Sequence, residues 1–232
     1  MLVVRPALLL ASLVILMNTV AAQSIDDILS KHFEARGGLD KIKSLNSVIM
    51  HGRSASDLFE LPIHFYCIHQ KAFKVELEFE GRKYYQTGTT TEGWTFSPNQ
   101  PDSVPHQMTR EELQEGLQDF DLQGPFVDFK IKGNQVESIG TKEIEGQKYS
   151  GLKLVKASGE VVLYYLDDNY QIFQTIETQR DGTESITTYT NYRKTASGLA
   201  FPFTWAYGHS TTQIDTVIVN PSLDISAFKI KK

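Results

Sequence analysis

Glu34-Ala35-Arg36-Gly37-Gly38-Leu39-Asp40-Lys41-Ile42-Lys43-Ser44-Leu45-Asn46-Ser47-Val48-Ile49-Met50-His51-Gly52 is the stretch in which the chain changes its repeat. Before it, Ile25, Ile28, Leu29, His32 and Phe33 recur at helical spacing and form one apolar stripe. Ser24 with Asp27 three residues on reads as a capping box, and Asp26 and Asp27 suit the positive end of a helix dipole. Gly37 and Gly38 supply the left-handed cap that ends the helix. After Gly52 nearly every segment alternates with a period of two. The stretch therefore predicts a helix over Ser24 to Arg36, a short second turn, and a first strand from about Ser47.

Working outward, the segment Lys74 to Glu80 alternates most cleanly. Val75, Leu77 and Phe79 interleave with Lys74, Glu76, Glu78 and Glu80, as in an antiparallel strand with one buried and one wet face. Further strands are expected at Ser47 to Ser54, Leu61 to Gln70, Arg82 to Thr87 and Trp94 to Phe96. Three prolines between Ser97 and Pro105 make a loop. Thr109-Arg110-Glu111-Glu112 is another capping box, opening a short helix through Leu113 and Leu117 to about Asp119. Asp121 to Lys130 is irregular, and the whole insertion is expected to lie over the sheet as a cover.

Turns at Glu145-Gly146, Ser158-Gly159, Asp167-Asp168-Asn169, Asp181-Gly182, Ser197-Gly198 and Gly208-His209 then separate six more strands, ending with Thr212 to Val219. About ten or eleven strands cannot stay flat, because twist curls a large sheet. Two helices are too few to layer it. The expected fold is mainly β with an α cover: a strongly curved antiparallel sheet, an incomplete barrel, with the N-terminal helix and the short mid-chain helix on its concave side.

Met1 to Ala22 stands apart. Arg5, the apolar run Leu8 to Met17 and the small residues Val20-Ala21-Ala22 read as a cleaved signal peptide. Residues 23–232 then suit one domain. The sole cysteine, Cys67, rules out an internal disulfide, and proline spoils the sequon at Asn220-Pro221-Ser222. Together these favour export to a bacterial periplasm. A net charge of -5 with interspersed Lys and Glu argues against a nucleic-acid partner. His64 and His69 are expected on opposite faces, and Cys67 with His69 is two ligands, so no metal site is expected. No nucleophile elbow, phosphate loop or paired carboxylates are present, so neither an enzymatic activity nor a cofactor is expected.

Several stretches carry a resemblance. Ala35-Arg36-Gly37-Gly38-Leu39, His69 to Glu76, Glu92-Gly93-Trp94-Thr95-Phe96, Asp121-Leu122-Gln123-Gly124-Pro125 and Asn220 to Phe228 occur in that order across the mature chain. In this the chain resembles the outer-membrane lipoprotein carrier (LolA/LolB-like) superfamily, and more closely its outer membrane lipoprotein-sorting protein branch. The resemblance implies a half-barrel with a helical lid that carries acylated ligands through the periplasm. Lys71-Ala72-Phe73-Lys74 departs from the Arg-Pro-Asn-x-Phe/Leu-Arg pattern of true carriers. The lid-latching arginines that the family implies thus have no counterpart at that motif.

On this reading Met50, Phe65, Leu77, Phe79, Trp94, Phe96, Leu113, Leu117, Phe120, Tyr165, Phe203 and Trp205 are the expected lining of a cavity for lipoprotein acyl chains, lipids or another apolar ligand. The protein is expected to be a monomer that meets a partner at an envelope membrane. The alternative is a non-enzymatic envelope interaction module with a filled core.

Overall fold

The helical stripe and the glycine pair build the N-terminal element as expected. The computed structural model describes residues 24–98, 104–178 and 182–230. The proposed signal peptide, residues 1–22, lies outside them, as do residues 99–103 of the proline loop, Asp181 of one hairpin turn and residues 231–232. Helix α1 (Ile25–Ala35) is capped by the Ser24 side chain, which accepts from the Asp27 amide at 3.1 Å. It buries Ile28, Leu29 and His32. Gly37 and Gly38 have φ of 115° and 102°, and α2 (Leu39–Lys43) follows at once.

The strands are β1 (Ser47–Ala55), β2 (Glu60–Ile68), β3 (Ala72–Phe79), β4 (Arg82–Thr89), β5 (Gly93–Phe96) and β6 (His106–Gln107). After α3 (Arg110–Asp119) come β7 (Gln135–Ile144), β8 (Gln147–Val155), β9 (Val161–Leu166), β10 (Ile172–Thr178), β11 (Glu184–Lys194), β12 (Ala200–Tyr207) and β13 (Ser210–Val219). They form one 13-stranded sheet in the order β6-β5-β4-β3-β2-β1-β13-β12-β11-β10-β9-β8-β7. The sheet is antiparallel, curved and unclosed. Two strands exceed the sequence expectation: β6, a two-residue pairing just after the proline-rich loop, and β7, whose side chains are almost all exposed and lack an apolar alternation. β7 is an edge strand, and its charged face suits an edge that must not recruit another strand.

Two meanders are joined by one non-sequential pairing, β1 with β13. Asn220 secures that seam. Its side-chain oxygen accepts the amides of Asn46 at 2.8 Å and Ser47 at 3.3 Å, while its amide nitrogen donates to the Ser44 carbonyl at 3.1 Å. Its φ of 53° is one that asparagine tolerates better than most residues.

Cross-strand partners share a face, so the register divides the side chains. The row Val48–Cys67–Phe73–Gly88–Gly93 belongs to the covered face. There α3 seats Leu113 and Leu117 with Phe73 and Met108. Gly88 is required by this approach, since a Cβ would lie 2.5 Å from the Phe73 ring. The chain then crosses the same face towards β7. Phe126 joins α1 and the β8–β9 residues Leu152, Leu154, Val162 and Tyr164 in one core, and Val127 joins α2 and β12 in another. Burying each such aliphatic side chain is worth about 1.5–3 kcal/mol. The opposite face carries a smaller cluster of Tyr149, Tyr165 and Ile176. Near β3 and β4 it also receives the C-terminal 3-10 turn (Ile225–Phe228), whose Phe228 carbonyl accepts from Thr87 Oγ1 at 2.8 Å.

Candidate functional site

Between the cover and the sheet lies a cavity of about 760 Å³. One wall is the end of α1, with His32 and Arg36; another is the end of α3 and the crossing segment, from Leu117 to Pro125. The floor is the covered face of β8 to β12, with Leu154, Tyr164, Ile172, Thr175, Tyr189 and Phe201. Both apolar and polar groups line it. The volume falls within the roughly 300–1,000 Å³ typical of small-molecule sites.

His32 and Arg36 are brought together by helical spacing, one turn apart. His32 is only 1% exposed, and its Nδ1 lies 2.8 Å from the Tyr170 carbonyl. A carbonyl accepts, so Nδ1 carries the proton and donates. Nε2 is then an acceptor, and it has no hydrogen-bond partner among the described residues. Burial, and then the charge of Arg36, push the imidazole pKa down to about 4, against the Tyr170 hydrogen bond. The ring is therefore neutral across the physiological range.

Arg36 ties the cover to α1. Its Nη1 donates to the Gln123 carbonyl at 2.6 Å and its Nη2 to the Leu122 carbonyl at 3.2 Å. Burial pushes its guanidinium pKa down, while Tyr192 and Asp121 pull it back. Lys132 clamps the same segment by pairing with Asp121 and donating to the Gly124 carbonyl at 2.8 Å. On the sheet side, His69 Nδ1 lies 3.5 Å from Asp121, and the Cys67 thiol donates to the Phe120 carbonyl at 3.2 Å. Burial pushes the Cys67 pKa up to about 12. The thiol stays protonated and is a packing group, not a nucleophile. Among the described residues no three His, Cys, Asp or Glu side chains converge as a metal site.

The twelve residues expected to line a cavity separate into five places. Leu117 lines the cavity. Met50, Phe65, Phe203 and Trp205 pack together on the covered face beside Leu122, with Phe65 and Trp205 rings 5.6 Å apart. Leu113 and Phe120 enclose Phe73, and the Phe73 and Phe120 rings stack at 5.1 Å. Leu77 and Phe79 share the covered face farther out, where Phe79 is 36% exposed and meets Phe59 at 5.9 Å. Trp94, Phe96 and Tyr165 lie on the other face of the sheet. The register pairs Trp94 with Thr87 and Phe96 with Tyr85, and Tyr165 packs on Ile176. A period of two shows that such residues share or oppose a face, but not which face receives the cover.

Sequence reading missed the polar part of the site. Arg36 stood in a recognised stretch, yet its reach to the carbonyls of Leu122 and Gln123 spans 86 and 87 residues of sequence. His32 sits on the apolar stripe, where the sequence expectation is a core-edge histidine ahead of a ligand. The pair His51 and His64, with Nδ1 atoms 2.7 Å apart on the outer face, was likewise hidden because the two lie on neighbouring strands.

No protein-family model and no curated protein matches the sequence. Solved structures do match in shape. A LolA superfamily protein from Nitrosomonas europaea superposes with a TM-score of 0.59 at 15% identity, covering 90% of this chain and 99% of that one. A domain assigned to outer membrane lipoprotein sorting, from Vibrio parahaemolyticus, gives 0.57 at 12% identity, covering 87% and 94%. The chain has a LolA-like fold. A DUF1329 family protein from Desulfovibrio piger also matches, with a TM-score of 0.51 at 8% identity, covering 85% of this chain and 98% of that one. The LolA-like fold accounts for the curved sheet and cover. At these identities it does not carry residue roles, so Arg36 and His32 are argued from their own contacts.

Proposed function

We propose that this protein is an exported binding and transport protein of the periplasm. It holds an apolar or acylated ligand, such as lipoprotein acyl chains or a lipid, between its curved sheet and helical cover, and it acts as a monomer that exchanges this ligand at an envelope membrane. The observation that carries the reading is the cavity of about 760 Å³ beneath the cover. A half-buried apolar strip on the covered face, including Met50, Phe65, Val75 and Leu77, supports it. So does the LolA-like fold.

A sixteen-carbon chain offers on the order of 12 kcal/mol of transfer free energy before costs, at about 0.8 kcal/mol per methylene. Opening the cover sets apolar contacts of Leu113, Leu117 and Phe120 against that gain. A modest net affinity is what a shuttle needs, because the ligand must also leave. The rival reading, an interaction module with a filled core, is disfavoured by the cavity. Protein released gently from the periplasm is expected to carry lipid or fatty acid detectable by mass spectrometry, and stripped protein to bind a fluorescent lipid. Leu117→Trp, which places a large ring in the cavity, is expected to weaken that binding by at least about tenfold. Protein that carries no lipid and binds no fluorescent lipid would overturn the proposal.

A further inference from the structure

The outer face of the sheet carries a pair of histidines that the cavity does not use. His51 on β1 and His64 on β2 are directly opposed partners, a placement that sets Cβ atoms about 4.5–5.5 Å apart. Their Nδ1 atoms lie 2.7 Å apart, with ring centroids at 4.8 Å and ring planes at 75°. At that separation one Nδ1 donates to the lone pair of the other. Both side chains are half-buried, so solvent reaches them. The backbone beside them is irregular. The β1–β13 register slips between His51 and Gly52, and the Gln213 carbonyl presses so closely on Gly52 that a Cβ has no room. A bulge of this kind re-aims the side chains next to it. The flanking carboxylates are Glu76, opposite His64 on β3, and Asp215 on β13. Lys74 holds the first at 3.1 Å and Arg53 the second at 3.6 Å.

We infer that His51 and His64 form an exchangeable site for a nitrogen-preferring divalent cation of tetragonal geometry, copper(II) ahead of nickel(II) and zinc(II), bound through both Nδ1 atoms. The spacing selects the ion. Bonds of about 2.0 Å at a right angle place two neighbouring nitrogens about 2.8 Å apart, whereas tetrahedral zinc spreads them to about 3.3 Å. The observed 2.7 Å matches the first, so a tetragonal ion enters with the smaller movement of the strands. The general order of affinities for nitrogen ligands also puts copper first. Binding uses both Nδ1 lone pairs. The imidazole that donates in the free pair therefore shifts its proton from Nδ1 to Nε2 through solvent, and no net proton is released. Two protein ligands leave the remaining positions to water, which makes the ion exchangeable and not structural. The bound ion ties β1 to β2 next to the β1–β13 seam and so favours the folded sheet. The site lies on the face opposite the cavity and is independent of any ligand held there.

The test titrates metal-free, full-length protein, made without a histidine tag, with each of the three ions in a calorimeter at about pH 7.5, where free imidazole is neutral. One copper ion per chain is expected with a Kd below about 100 μM, and zinc at least about tenfold weaker. His51→Gln and His64→Gln should each weaken copper binding at least about tenfold, with little further loss in the double variant, because the two imidazoles act as one unit. Amide NMR of the wild type supplies a measurement that needs no variant. Substoichiometric copper should broaden β1 and β2 resonances around His51 and His64 first, and excess copper should raise the thermal midpoint by several degrees. Copper binding that persists in either single variant would overturn the inference. So would broadening centred on His69, His106 or His209, zinc binding as tightly as copper, or a wild-type Kd above about 100 μM.

Discussion

Replacing Gly37 with alanine tests how the N-terminal helix is set against the sheet. Gly37 has a φ of 115°, a conformation that costs a residue with a Cβ about 1–3 kcal/mol. The tertiary contact adds a second penalty. A Cβ there would lie 2.5 Å from the Gly198 carbonyl oxygen and 3.1 Å from the Leu199 Cα. Both are backbone atoms of the β11–β12 turn, and that turn cannot easily retreat. The Gly198 amide donates to the Thr195 carbonyl at 2.9 Å, and the Ala200 amide donates to the Arg36 carbonyl at 2.9 Å. Breaking one such hydrogen bond costs about 1 kcal/mol. Gly37→Ala is therefore expected to lose about 2–4 kcal/mol of stability in total.

Gly38 provides the control. Its φ is 102°, but a Cβ there would meet nothing within 4 Å, so Gly38→Ala carries the conformational cost alone. In urea unfolding followed by circular dichroism, Gly37→Ala should lose at least about 1 kcal/mol more than Gly38→Ala, with the slope against urea unchanged. Gly37→Val should lose more again, because a branched side chain meets the same carbonyl. Equal losses for the two alanine variants would refute the close approach of α1 to the β11–β12 turn. A loss below about 0.5 kcal/mol for Gly37→Ala would refute the backbone conformation as well.

Two further outcomes follow from the same structure. His32 titrates at about 6.5 when unfolded and is held down to about 4 when folded. The unfolded chain therefore binds the proton first as pH falls, and stability is lost between those two values, by up to about 3 kcal/mol. Thermal melts of wild type and His32→Phe at several pH values should diverge over that range, and parallel curves would show that the imidazole is not buried. Asn220→Ala removes three hydrogen bonds at the β1–β13 seam and places alanine at a φ of 53°. It should destabilise by about 2–4 kcal/mol and speed amide exchange in β1 and β13 first. Uniform exchange across the sheet would count against the seam as a locally weak point.

Much of the fold was legible because its signals are local. Thr109 and Glu112 form the reciprocal cap that their spacing implies, and Val75, Leu77 and Phe79 share the covered face that their alternation implies. The two strands that went unread lack such a signal. β7 buries almost nothing, and β6 is two residues long. Of the candidate cavity residues, Phe65 and Trp205 meet on the covered face, and alternation gives each its face within its own strand. Periodicity could not assign Trp94, Phe96 and Tyr165 to a face, since both faces of this sheet bury aromatic residues.

The sequence by itself determined the helix and its glycine stop, the β character of the remainder and the capped cover helix. These rest on spacing, capping and turn residues, which act over a few positions. Only the tertiary structure decided that β1 pairs with β13, that the cover crosses from the β6 edge to the β7 edge, and that His32, Arg36, Tyr164 and Tyr189 meet around one cavity. Those contacts join residues tens to more than a hundred positions apart. They arise because a curved sheet and its cover bring distant strands to a common face, and no local pattern records that closure.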